Sequence, residues 1–161
     1  MSYDKPPSFH ADEFEPSSPE EARFHIIPVP WEASVSYGKG TAQGPNAILH
    51  ASVQLEAYLE GEFPGAAGIY TAPSIDCEGD APTVLSRIQK ATTSAIQNKA
   101  IPILLGGEHA MTTGPIKAFI EQGIEFGVVQ FDAHADLRET YEGTPHSHAC
   151  VMKRIADLNI P

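Results

Sequence analysis

The chain has 161 residues, 42% of them hydrophobic and 19% charged, which suits one domain with one core and includes no apolar run long enough to span a bilayer. Its 10 Lys plus Arg against 21 Asp plus Glu leave a net charge of -11, which repels phosphate backbones, argues against a nucleic-acid partner and modestly favours a cationic one. Cys77 and Cys150 stand far apart, so neither a disulfide framework nor a thiolate zinc site is expected, and without a basic and apolar leader the expected location is cytoplasmic.

In chain order, residues 1–22 are rich in Pro, Ser and acids and are expected to form an arm, ahead of an α/β domain over residues 23–161. Phe24 to Val29 reads as a short strand ended by Pro30. The loop Ser34 to Gly44 carries three glycines before Pro45 opens a helix whose apolar positions Ile48, Val53, Leu55 and Leu59 run toward a stop at Gly61. Gly68 to Ala72 reads as a second strand. Asp80 is expected to cap a helix opening near Pro82 with a stripe of Val84, Leu85, Ile88 and Ala95, and Ile101 to Leu105 to follow as a fully buried strand. Ala110 to Glu121 then reads as a helix stopped by Gly123, Phe126 to Phe131 as another buried strand, and Cys150 to Leu158 as a final helix. Strands alternating with helices imply a mostly parallel sheet with helices on both faces, and in such sheets ligands bind at the carboxyl ends of the strands.

Two of these strand ends carry metal-ligand chemistry. LLGGEH ends at His109, and VVQFDAHAD places Asp132, His134 and Asp136 between small alanines, so the backbone can bring all three round one point. Carboxylates bridge cations while imidazole nitrogens complete the shells. The triplet alone also suits a solvated loop in which an Asp caps the next helix; His109, from a separate strand end at the same face, favours the metal reading. Glu108 is expected to make a structural hydrogen bond, and His146 to be a partly exposed loop residue. The loop Ser36 to Ile48 misses the dinucleotide spacing by one residue and lacks the GK[ST] ending, so it is read as structural.

GGEH at Gly106 to His109 and DAHAD at Asp132 to Asp136 resemble the first two signature motifs of the ureohydrolase family, which includes arginase and agmatinase. The segment YEGTPHSHACVMKRI, Tyr141 to Ile155, resembles the agmatinase pattern in which a histidine preceded by Ser sits beside the metals. The resemblance implies a three-layer αβα fold with a mostly parallel sheet and a site for two manganese ions. In that site His109 and Asp136 hold one metal, His134 the other, and Asp132 bridges both. It further implies hydrolysis of a small cationic guanidino substrate, agmatine to putrescine and urea in polyamine biosynthesis, through a binuclear manganese-bound hydroxide. Asp136 would accept a proton and His148 would serve as the shuttle to the leaving nitrogen. A trimer or hexamer is implied as well. The family's later DxDxxDP motif and its guanidinium-binding glutamate have no counterpart before Pro161, so the resemblance is to the amino-terminal portion only. An incomplete fold with an uncovered strand edge is therefore expected, and fewer than two metals are conceivable in this chain alone. The alternative reading is a truncated, catalytically inactive metal-binding or subunit-interaction protein.

Overall fold

The computed structural model describes residues 6–160. Three strands, β1 (Phe24–Val29), β2 (Ile69–Thr71) and β3 (Ile101–Gly106), form a parallel sheet in the order β2-β1-β3. β1 is central: Phe24 stands level with both Ile69 and Ile101, and the pairing with β3 runs on until Val29 meets Gly106. The helices are α1 (Gly44–Ser52), α2 (Ala81–Gln97), α3 (Thr113–Glu121) and α4 (Val151–Ala156). None of the helices described is long and apolar enough to cross a membrane.

The two-residue period of β1 builds a core on each side of the sheet. Ile27 and Val29 face one way, into a cluster with Trp31, Val84, Leu85 and Ile88, so the apolar stripe of α2 covers this face. Ile26 faces the other way, where it meets Leu49 of α1 and Ile69, with Phe9 and Phe14 packed alongside. Layers of helix, sheet and helix follow directly from that alternation, and the expected α/β three-layer architecture is what the chain adopts.

Helix α2 opens as its sequence requires. Asp80 has extended backbone, and its carboxylate accepts the Thr83 N–H at 3.0 Å, satisfying one of the amides that a helix start leaves unpaired. The Thr83 hydrogen bonds hold the Asp80 carboxyl below the ordinary Asp range. A depressed folded-state pKa contributes stability that is present above the unfolded value, about 3.9, and lost as the pH falls through the folded one. Asp80→Ala should therefore melt below the wild type at neutral pH, with the gap closing below about pH 4. Asp80→Asn should keep the cap and lose the pH dependence. Melting curves across that range check both.

Four expectations are corrected. Phe126 to Phe131 is not a strand: residues 124–131 have no regular structure, and Val129 and Phe131 are 78% and 98% exposed. An apolar run becomes a strand only where a neighbour pairs its amides and a layer covers its side chains, and neither is present at this segment among the described residues. For the same reason β3 is not fully buried. It is the sheet's outer strand, with Ile101 and Ile103 41% and 38% exposed. The helix from Pro45 ends at Ser52, well before Gly61, because the Ser52 hydroxyl turns back to donate to the Leu49 carbonyl at 2.7 Å and accepts the His10 N–H at 3.0 Å. Leu55 and Leu59 consequently lie outside it, and Gly61, at φ 97°, makes the tight turn between Leu59 and Glu62 instead. The last helix is shorter than the run from Cys150 to Leu158, since Cys150 closes a 3-10 turn beginning at His148.

The arm expected over residues 1–22 is described from residue 6, and its first five residues, like Pro161 at the end of the expected domain, lie outside the described residues. The described part lies against the β2 edge: Phe9 N–H donates to Thr71 Oγ1 at 2.8 Å and Ser17 N–H to the Ile69 carbonyl at 3.0 Å.

Candidate metal centre

Because β1 and β3 are parallel, the chain leaves both at one edge of the sheet. The Glu108 N–H donates to the Trp31 carbonyl at 2.9 Å, so the two strand ends stay side by side just past their last paired residues. This close approach is made by Gly107, where a Cβ would lie 2.3 Å from the Trp31 carbonyl oxygen. His109 opens a 3-10 turn leading into α3, which fixes its position against the strand end.

The second group arrives on a loop. Asp136 adopts φ 48°, a left-handed conformation that Asp tolerates better than most residues. Its carbonyl accepts the Met152 and Lys153 N–H groups at 3.1 and 3.3 Å, so the start of α4 holds the turn in place. The outcome is convergence: His109 Nδ1 lies 2.9 Å from Asp136 Oδ2 and 3.4 Å from Asp132 Oδ2. One ligand atom from each of these three residues falls within 4.8 Å of the others. Two carboxylates and an imidazole are a donor set that suits a borderline divalent cation, and without one the two carboxylates face each other with only a histidine between.

His134 stands apart from that cluster. Its side chain is 80% exposed, with Nδ1 3.6 Å from Asp132 Oδ1. Asp132 thus presents one oxygen to each histidine, the disposition a bridging carboxylate needs. The His134 N–H donates to Asp132 Oδ1 at 2.8 Å, and this bond, aided by Gln130 and the two imidazoles, holds the Asp132 carboxyl below the usual range against the opposing effect of desolvation. Gln130, which sequence reasoning passed over, also donates to the His134 carbonyl at 3.2 Å and steadies the turn.

A cleft of about 530 Å³ opens beside the cluster, lined by His134, Asp136, Tyr141 and His148 among others. The His148 ring stands edge-on to Tyr141 at 5.7 Å, and Arg138 lies over the Tyr141 face at 5.0 Å. Ser34 and Ser36 reach His148 from the loop after β1, with Ser36 Oγ 3.1 Å from Nε2. Neither serine was singled out in the sequence, and with 114 and 112 residues separating them from His148 no local pattern could signal the pairing. Glu108 is buried and makes structural hydrogen bonds, as expected, accepting the Ala33 and Ser34 N–H groups at 2.6 and 2.7 Å. His146 is half-buried; desolvation, with Lys117 and Arg154 nearby, pushes its imidazole pKa down.

The glycine-rich loop is closed on itself. Glu32 accepts the Gly40 N–H at 2.8 Å, the Ala42 N–H at 2.9 Å and the Thr41 hydroxyl at 3.0 Å, and the two amides hold its carboxyl below the ordinary range. The amides a phosphate would need are thereby engaged with an internal carboxylate, which supports the structural reading of this loop.

Residues 22–161 match the profile of the Arginase family. The chain is 41% identical over 152 residues to an N(1)-aminopropylagmatine ureohydrolase of Synechocystis sp., covering 88% of this chain and 49% of the relative. It is 34% identical over 149 residues to an agmatinase of Pyrococcus horikoshii, covering 88% and 50%. In structure it is similar to the agmatine ureohydrolase of Thermoplasma volcanium, with a TM-score of 0.85 and 30% identity over 98% of this chain and 52% of that one. The chain thus spans about half the length of the curated relatives it matches.

Proposed function

The chain belongs to the arginase family, and from that premise we propose that it forms the metal-binding part of an agmatinase-like ureohydrolase that cleaves a linear guanidino compound into urea and an amine. His109, Asp132, His134 and Asp136 are the proposed metal ligands. The observation that carries the reading is the convergence of His109, Asp132 and Asp136 at the carboxyl end of β3, next to a cleft that His148 also lines. Two divalent cations, manganese in this proposal, supply the acidity that lets water attack a guanidinium carbon near neutral pH.

The chain's own groups account for the proton movements. Asp136, only 10% exposed and aimed into the cluster, accepts a proton from the attacking water. His148 delivers a proton to the leaving nitrogen, the C–N bond breaks, and the second proton of the former water passes to solvent as the carbonyl closes, giving neutral urea and an amine. Tyr141, with the Arg138 guanidinium over its ring, lines the cleft beside His148, where the rest of the substrate would lie. The chain's net charge of -11 favours approach of a cation.

Agmatine, giving putrescine, is the substrate proposed, and N(1)-aminopropylagmatine is the competing one, since relatives of both names are among those matched. Purified protein supplied with manganese should bind the metal and release urea from agmatine with an equimolar amount of putrescine. Comparing kcat/KM for the two guanidino compounds decides between them. Metal binding without urea release from either would favour the second reading, a metal-binding or subunit-interaction protein.

A further inference from the structure

Glu108 is 2% exposed, and its two oxygens divide their work. Oε2 accepts the Ala33 and Ser34 N–H groups, while Oε1 accepts the Ser34 hydroxyl. A carboxylate has no hydrogen to give, so the single hydrogen of Ser34 Oγ is committed to it. What Ser34 offers to the rest of the site is two lone pairs.

Both point at His148. The His148 backbone N–H lies 3.0 Å from Ser34 Oγ and the ring Nδ1 lies 3.2 Å from it. An oxygen whose hydrogen is already engaged can only accept, so a favourable contact with Nδ1 requires Nδ1 to carry the hydrogen. Ser147 Oγ, 3.3 Å from the same nitrogen, is a second acceptor for that hydrogen. Were Ser147 to donate to Nδ1 instead, the Nδ1 and Ser34 lone pairs would face each other at 3.2 Å, a repulsive contact. With Nδ1 protonated, Ser34 uses all of its hydroxyl capacity, one donor and two acceptor positions, and Nε2 is left with a lone pair that accepts from Ser36 Oγ at 3.1 Å at the edge of the cleft.

We propose that Ser34 and Glu108 are positioning residues that hold His148 in the Nδ1–H tautomer, leaving Nε2 as the nitrogen open to the cleft. The catalytic consequence rests on the reading of His148 given above; the tautomer does not. In that reaction Nε2 takes one proton from solvent and passes the same proton to the leaving nitrogen, returning to the neutral ring. The Nδ1 hydrogen stays where it is throughout. While the ring is charged, the Glu108 carboxylate stabilises it through the Ser34 hydroxyl, the role a third group plays in orienting a base elsewhere.

The test is a multiple-bond 1H–15N spectrum of the whole chain labelled at histidine, recorded near pH 8 and assigned with His148→Gln. The expected wild-type result is a pyrrole-type shift at His148 Nδ1 and a pyridine-type shift at Nε2. Ser34→Ala should move His148 toward the Nε2–H form that free imidazole side chains prefer, and Ser34→Thr, which keeps the hydroxyl, should restore Nδ1–H. Glu108→Gln should also reverse the tautomer, because the new amide donates to Ser34 Oγ and turns its hydroxyl toward Nδ1. In active protein, Ser34→Ala should lower kcat about 100-fold with KM little changed. A pyridine-type Nδ1 in the wild type overturns the proposal, whether or not any variant folds, and so does an unchanged spectrum in folded Ser34→Ala. An Nδ1–H ring in protein that releases no urea upholds the tautomer and counts against the catalytic reading alone; urea release with an Nε2–H ring does the opposite.

Discussion

Asp132→Ala should lower manganese affinity by more than about 100-fold, beyond what loss of an outer-shell partner costs, and abolish urea release in active protein. The reason lies in its two oxygens. Oδ2 lies 3.4 Å from His109 Nδ1, while Oδ1 lies 3.6 Å from His134 Nδ1 and accepts the His134 N–H. No other side chain in the cluster is shared between both histidines. Alanine would remove the shared ligand and the hydrogen bond that sets the turn, leaving His134, already 80% exposed, with nothing to hold its ring near the site. The protein without metal should melt almost as before, because residue 132 is exposed and lies in no helix or strand. Titration calorimetry with manganese reads the effect directly. Wild-type affinity in the variant would take Asp132 out of the ligand set and with it the case for a two-metal site.

Gly107→Ala should destabilise the fold by about 3 kcal/mol, the upper end of what overpacking usually costs. Its added methyl would lie 2.3 Å from the Trp31 carbonyl oxygen, 2.7 Å from that of Val29 and 2.8 Å from the Trp31 nitrogen. All three are backbone atoms of β1 or the residues after it, so no side chain can swing away, and the ends of β1 and β3 must separate. That separation breaks the Glu108 to Trp31 hydrogen bond and carries His109 with it, so manganese affinity should fall about 10-fold in whatever protein remains folded. Gly127→Ala is the matched control, since a methyl there meets nothing within 4 Å. Chemical denaturation of the two variants should show a large loss for the first and almost none for the second. Equal stability would mean that the strand ends relax around the methyl at no cost.

The two predictions probe different kinds of information. Asp132 and its neighbours were legible as ligand candidates because alternation with alanine and placement after an apolar run are local patterns. The glycine pair before Glu108 is visible in the sequence, but not the β1 backbone against which Gly107 lies. The Ser34, Glu108 and His148 relay was not legible at all. It joins the loop after β1, the turn after β3 and a 3-10 turn near residue 148, and only the parallel pairing of β1 with β3 brings the first two together.

Two of the misread elements share one cause. Phe126 to Phe131 has the composition of a buried strand, and Ile101 and Ile103 the composition of buried strand positions, yet the first is unpaired and the others are partly exposed. Composition records what a segment can do when covered; covering is a property of neighbours. The helix after Pro45 failed differently, since its apolar spacing continued to Leu59 while a single serine hydroxyl and the returning arm stopped it at Ser52.

By itself, then, the sequence determined the elements whose energetics are local: the β1 alternation that makes a two-faced sheet, the Asp80 cap, the stripe of α2 and the identity of the metal-ligand candidates. Tertiary structure alone decided which of those candidates meet, which hydroxyl faces His148 and which apolar runs are covered. Periodicity and capping act between residues a few positions apart, whereas strand pairing and side-chain relays join groups about 70 to 115 residues apart, whose proximity depends on the whole sheet.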